Sequence, residues 1–259
     1  MDKIIGIAGG VGPMAGVYLH KKIIENTEAQ GTDQGHLDVL HASFSAGIAD
    51  RTDYLLGKTT VNPADGVVKM VQSLIAGAAS QDKNLVVGVP CNTFHSPQIF
   101  DVCKKSLEEL GLDVEIINMI RETGEFIKAT LPDIKKIGLL STTGTRQAGV
   151  YEELLSPSGL EIVQLDDERQ LEIHDSIYNP QWGIKSTYPV SAKSRGNFEK
   201  YIQALRDQGA EAVILGCTEI PLAVPEQSFS GVALIDPMVA LARALIKKVA
   251  EDKLKPLAY

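Results

Sequence analysis

Two apolar runs in this chain end in the same way. Residues 85–89 lead through Pro90 to Cys91-Asn92-Thr93, and residues 212–215 lead through Gly216 to Cys217-Thr218. Each run is short and β-branched, so each reads as a buried strand with a cysteine just past its carboxyl end. The likeness extends upstream. Residues 4–13 are an apolar strand breaking into the loop Gly9-Gly10-Val11-Gly12-Pro13, and residues 137–145 repeat that change of character. Gly6 to Cys91 spans 85 positions and Gly138 to Cys217 spans 79. A repeat of this kind points to an internal duplication: two similar parallel-sheet α/β domains, each with one strand-end thiol.

Strand and helix signals alternate along the chain, as parallel sheets with crossover helices require. The pattern predicts strands over 3–8, 37–42, 85–89 and 114–117 in the first half, with helices over 14–29, 63–80 and 97–110. Asn62 caps the second of these helices, Ser96-Pro97 opens the third and Gly111 closes it. The second half predicts strands over 136–140, 160–163, 212–215 and 232–235, with helices over 119–131, 147–155, 168–178 and 192–208. A last helix, capped by Asp236-Pro237 and running to residue 251, is expected to return to the first half. The expected domains are therefore 1–118 with 225–259, and 119–224.

Charge and cysteine content narrow the partners. Asp plus Glu number 33 against 25 for Lys plus Arg, a net charge of -8, which disfavours nucleic acid and anionic membranes. A small anionic substrate stays compatible with that balance, because local geometry overrides net charge. Three cysteines without a Cys-x-x-Cys pair speak against a zinc ribbon or a disulfide framework and fit a reducing cytoplasm. The first apolar stretch is too short for a signal peptide, and no window approaches a membrane span.

Several residues stand outside the scaffold pattern. A lone strand-end cysteine has an inert, buried reading as well as a reactive one; for Cys91 the helix start at Ser96-Pro97 is expected to attract anions, and at both strand-end thiols a helix start and a cluster of donors are expected to lower the thiol pKa. Gly10-x-Gly12-x-x-Ala15 matches a dinucleotide fingerprint, but Pro13 removes an N–H from the turn and 42–44 lacks the acidic residue a ribose needs. A loop that lets backbone approach a small substrate is the better reading, with Gly12 in contact. Arg51, between Asp50 and Asp53, either forks onto a substrate carboxylate or is a surface arginine paired with its neighbours. Lys185, in the irregular stretch 179–187, is either a second cation over the site or a solvated lysine. His95 either orients or acidifies Cys91 or simply starts the next helix, and Cys103 reads as helix packing.

Taken together, Gly-Gly-Val-Gly-Pro at 9–13, Asp-Arg-Thr at 50–52, Pro-Cys-Asn-Thr at 90–93 and Gly-Cys-Thr-Glu-Ile-Pro-Leu at 216–222 resemble the cofactor-independent aspartate/glutamate racemase family. The two cysteine motifs in this order are the specific part. The resemblance implies two similar α/β domains with the active site in the cleft between them, and Cys91 and Cys217 as the catalytic pair. Glu219, where glutamate racemases usually carry histidine, and the Asp-Arg-Thr loop make the chain more similar to the aspartate racemase branch. By the same resemblance Arg51 holds a substrate carboxylate, with Lys185 as a second candidate, and the assembly is a homodimer. Two positions depart from the family pattern, Phe94 and Gly16, and both are expected to reshape the pocket.

The chemistry is consistent with that likeness. Inverting an amino acid removes a proton from one face of Cα and returns one to the other, so it needs a base and an acid on opposite sides of a planar carbanion. A thiolate and a thiol suffice, with no metal and no pyridoxal cofactor. Negative charge developing on the α-carboxylate needs donors, for which Asn92, Thr93 and Thr218 are candidates beside Glu219. Two other classes fit the same residues: a cysteine-dependent isomerase or decarboxylase of dicarboxylates, of the maleate isomerase or arylmalonate decarboxylase kind, and a non-catalytic two-domain binding protein.

Overall fold

The computed structural model describes residues 2–257, and its chain divides into two compact units, 1–122 with 238–259, and 123–237. The first unit is built on strands β1 (Lys3–Ala8), β2 (Val39–Ala42), β3 (Asn84–Gly88) and β4 (Glu115–Ile117), all parallel, in the order β2-β1-β3-β4. Its helices are α1 (Pro13–Asn26), the short α2 (Arg51–Leu55), α3 (Ala64–Ala79) and α4 (Pro97–Glu109). The chain crosses to the second unit within α5 (Met119–Thr130), whose first turn Asn118 caps by accepting from the amides of Ile120 and Arg121 at 3.0 and 3.1 Å.

The second unit carries β5 (Lys136–Ser141), α6 (Thr143–Gln147), α7 (Val150–Leu155), β6 (Glu161–Val163), α8 (Asp167–Tyr178), α9 (Ala192–Asp207), β7 (Ala212–Gly216), α10 (Ile220–Ala223), β8 (Ser228–Phe229) and β9 (Val232–Ile235). The sheet order is β6-β5-β7-β9-β8, parallel except for β8. A final helix, α11 (Pro237–Ala250), belongs to the first unit. Strip off β8 and the two sheets have the same order, which is the topological form of the duplication. Their central strands are apolar along nearly their whole length because helices cover both faces.

In the first unit α1 and α11 lie on one face, where Leu19, Leu241 and Leu245 leave no room for a side chain at Gly88, and α3 and α4 build the opposite core with Val87, Phe94, Phe100 and Cys103. In the second, Leu205 of α9 packs over Gly138 and Tyr151 of α7 over Gly216, on opposite faces. No helix among the described residues is long and apolar enough to cross a membrane.

Most elements fall where the sequence puts them, and the differences have physical causes. The expected helix 147–155 is two short ones, because Gly149 takes the left-handed conformation at φ 59°. Helix α1 stops at Asn26 rather than 29: the Thr27 hydroxyl bonds back to Ile23 O at 2.7 Å, and Glu28 N pairs with Lys253 O at 2.7 Å. The unit boundary also moves. Residues 225–237 do not join the first unit as expected, since β9 pairs with β7 in register Ala212 to Ala233. The return of the last helix to the first half stands.

Candidate active site

Within each unit, neighbouring central strands send the chain in opposite directions. β1 leads to β2 on one side and β3 to β4 on the other; β5 and β7 do the same with β6 and β9. Such a reversal leaves a crevice outside the carboxyl ends of the two strands, the usual ligand position in open parallel sheets. In the first unit the glycine loop leaves β1 and Cys91 leaves β3. In the second, Ser141-Thr142 leaves β5 and Cys217 leaves β7.

In the first unit the strand ends in a tight turn about Pro90, with Cys91 N bonded to Val89 O at 2.8 Å. A 3₁₀ turn over Thr93–His95 follows, and Ser96 occupies the cap position of α4 without a side-chain capping bond. Cys91, Asn92 and Thr93 are all buried. Arg51 heads α2, whose N-cap Asp50 accepts from Asp53 N at 2.9 Å. Only 8 % of Arg51 is exposed, so it is not a surface arginine; its guanidinium donates to Ala49 O at 3.2 Å and to Val11 O of the glycine loop. Asp53 pairs instead with Lys58 at 3.2 Å.

The glycines here serve close packing. A Cβ on Gly10 would stand 2.6 Å from Phe44 N, so this loop presses backbone against backbone beyond β2. Gly12 is the extended residue that opens α1, with Pro13 first in the helix. Gly16 has no room for a side chain, because His41 Nε2 lies 2.5 Å from where its Cβ would be and Gly9 Cα 2.8 Å. Phe94, the other departure, has its side chain fully buried in the core, edge-on to His95 and Phe100 at 5.2 and 5.8 Å.

His95 does not acidify Cys91. Its Nε2 faces Val89 O at 3.3 Å, and burial pushes its pKa down to about 4 in spite of that bond, so the ring is neutral at physiological pH. Cys103 is the packing cysteine, its thiol pushed up to about 12 by burial.

The second unit assembles the more elaborate group. Glu219 stands two residues beyond Cys217, at the start of α10. Its Oε1 accepts from Lys185 Nζ at 2.7 Å; its Oε2 accepts from Thr218 Oγ1 at 3.0 Å and lies 3.1 Å from Cys217 Sγ. Only 4 % of Glu219 is exposed. Burial alone would raise its pKa, but the Lys185 charge and the bonds from Lys185, Cys217 and Thr218 outweigh it and hold the carboxyl below its usual value. Cys217 moves the other way: burial and then the charge of Glu219 push its thiol well up, against a smaller opposing pull from Lys185. The expectation that a helix start and nearby donors would lower the catalytic thiols is therefore corrected for Cys217. Lys185 is not a solvated lysine either.

Sequence reasoning missed the wall around this group. Lys185 Nζ sits 5.4 Å above the ring of Tyr178, which stacks on His174 at 4.7 Å; His174 Nδ1 in turn accepts from Thr143 N at 3.4 Å. Gln170 Nε2 donates to Ser141 O at 3.0 Å. The four-residue spacings 170, 174 and 178 along α8 were a usable signal, since they line one helix face.

Comparison with known proteins extends this likeness over the chain. The broad specificity amino-acid racemase RacX of Bacillus subtilis is 24 % identical over 257 residues, covering 94 % of this chain and 96 % of that protein. Among solved structures, the aspartate racemase of Picrophilus torridus superposes with a TM-score of 0.76 at 27 % identity, covering 95 % of this chain and 94 % of that one. An aspartate racemase homologue from Pyrococcus horikoshii gives 0.68 at 25 % identity, with 96 % and 100 % covered. The Asp/Glu/Hydantoin racemase model matches residues 8–245, and the chain belongs to that family.

Proposed function

We propose that this protein is a cofactor-independent racemase of a small acidic amino acid, with aspartate as the first candidate, and that Cys91 and Cys217 are its base and acid. The observation that carries the reading is the matched placement of the two thiols. Each follows the third strand of an equivalent parallel sheet, at the carboxyl-end switch point where such folds bind ligands. The names of the similar proteins support an amino-acid substrate, and the aspartate racemases among them support the acidic side chain.

In this reading one sulfur, as thiolate, takes the Cα proton, and the other, as thiol, delivers its own proton to the opposite face. The S–H bond breaks, its electron pair stays on sulfur, and the new Cα–H bond has the inverted configuration. Charge that develops on the α-carboxylate is met by Asn92, Thr93 and the backbone N–H of Thr218, whose hydroxyl is given to Glu219, and Arg51 takes a substrate carboxylate. The protein works as a homodimer in the cytoplasm. Sedimentation checks the oligomer.

Incubation of the purified protein with L-aspartate in D2O, without added cofactor, tests the activity in one tube. The expected result is loss of the Cα–H resonance together with the appearance of D-aspartate. Absence of exchange with aspartate, glutamate and other amino acids would exclude the racemase and leave a dicarboxylate isomerase or decarboxylase, or a binding protein.

A further inference from the structure

The sequence suggests Glu219 as a substrate contact, yet both of its oxygens face protein groups: Lys185 on one, Thr218 and Cys217 on the other. We infer that Glu219 is a positioning residue that holds the transferable proton on the sulfur of Cys217, with Lys185 as its counter-charge, so that Cys217 enters turnover as the proton donor. The inference rests on the racemase reading for its role in turnover, and on the geometry alone for the state of the thiol.

Charge in a buried place decides the state of the thiol. An ionised carboxylate only accepts hydrogen bonds, so at 3.1 Å the sulfur must be the donor, and a donor sulfur is a thiol. With thiol, carboxylate and ammonium the trio carries no net charge. Losing the thiol proton to solvent would set a thiolate against the Glu219 carboxylate, with one partly exposed ammonium to balance two buried anions. The carboxylate has little freedom to turn away. The Thr218 hydroxyl bonds the same oxygen that faces the sulfur, and the Lys185 ammonium is itself held over the Tyr178 ring. The pair is therefore asymmetric before substrate arrives. When Cys217 gives its proton to the carbanion, the S–H electron pair stays on sulfur beside Glu219. That is its less stable state, which favours return of a proton to Cys217 and restores the same resting form.

The test reads the thiol directly. Iodoacetamide modification of Cys217 is followed by peptide mapping across a pH series in the wild type, in Glu219→Gln and in Glu219→Asp. Removing the carboxylate charge while Lys185 stays should move the midpoint of Cys217 modification down by about one pH unit or more. Glu219→Asp keeps the charge and should stay on the wild-type side. A purely structural role predicts a change of rate by one factor at all pH values with the midpoint unmoved. Cys103 reports folding within the same digest, because a variant that unfolds will label there. As a second reading on the wild type alone, the infrared S–H band assigned to Cys217 by its loss in Cys217→Ser should be present at neutral pH. An unshifted or raised midpoint in Glu219→Gln, or the absence of that band, overturns the inference. Neither readout needs turnover, so missing Cα exchange counts against racemisation alone and an unshifted profile against Glu219 alone.

Discussion

Replacing Lys185 by methionine should destabilise the second unit and reverse the pH response of Glu219. The ammonium is 2.7 Å from a carboxylate whose side chain is 5 % exposed, while its own is 22 % exposed. Breaking a buried ion pair from one side costs about 3–5 kcal/mol, because the other charge is left without compensation. The partial exposure of Lys185 puts this case at the low end, about 3 kcal/mol, and the drop in melting temperature at pH 7 at roughly 10 °C. In the wild type the Glu219 pKa is lowered, so its contribution is present above the unfolded carboxylate pKa and is lost as pH falls through the folded one. In Lys185→Met, burial is left to dominate and the folded pKa rises above the unfolded one. The penalty is then full near neutrality and fades as pH falls through that raised value. Thermal unfolding by circular dichroism at pH 7 and pH 5 checks both parts: the gap to the wild type should narrow at pH 5, and adding Glu219→Gln to Lys185→Met should recover stability. A melting temperature within about 2 °C of the wild type at pH 7, or a gap that widens on acidification, would refute the reasoning.

Other outcomes follow from the first unit. Arg51→Ala should lower kcat/KM for aspartate by about 2–5 kcal/mol of transition-state stabilisation, far more than for a neutral amino acid, with only partial recovery in Arg51→Lys; unchanged kinetics would confine Arg51 to bracing the glycine loop through Val11 and Ala49. His95, with its pKa pushed down to about 4, should cost stability as pH falls from about 6.5 towards 4, by about 3 kcal/mol in full. His95→Phe should flatten that limb of the stability curve measured in urea. Cys103, pushed up to about 12, should resist iodoacetamide at neutral pH while the folded protein persists.

Much of this fold was legible because its signals are local. β1 occupies residues 3–8 as the apolar run predicts, and the matched sheet orders express a repeat already visible in the glycine and cysteine spacings. What escaped depends on contacts between distant residues. Nothing near Val232 says that its strand will join β7, and nothing near Gly16 says that His41 will fill the space a side chain there would need. The same holds at the site. The motif placed Cys217, Thr218 and Glu219 together, but the direction of the Glu219 carboxylate, towards Lys185 and the sulfur, is set by a loop 34 positions away. The expected lowering of the Cys217 thiol failed for this reason, since the donors seen in the sequence act on Glu219 and the sulfur meets a carboxylate.

The central claim, two thiols serving two faces of one carbon, is tested most directly by Cα deuterium exchange in Cys91→Ala and Cys217→Ala, each given L- and D-aspartate in D2O with both NMR and chiral analysis. The account predicts that neither variant interconverts the enantiomers. Each should still exchange the Cα proton of one enantiomer only, the one whose proton faces the sulfur that remains, and the two variants should choose opposite enantiomers, with Cys91→Ala the slower because Cys217 must first lose its proton beside Glu219. Interconversion near the wild-type rate by either variant, or exchange of the same enantiomer by both, would contradict the two-thiol mechanism.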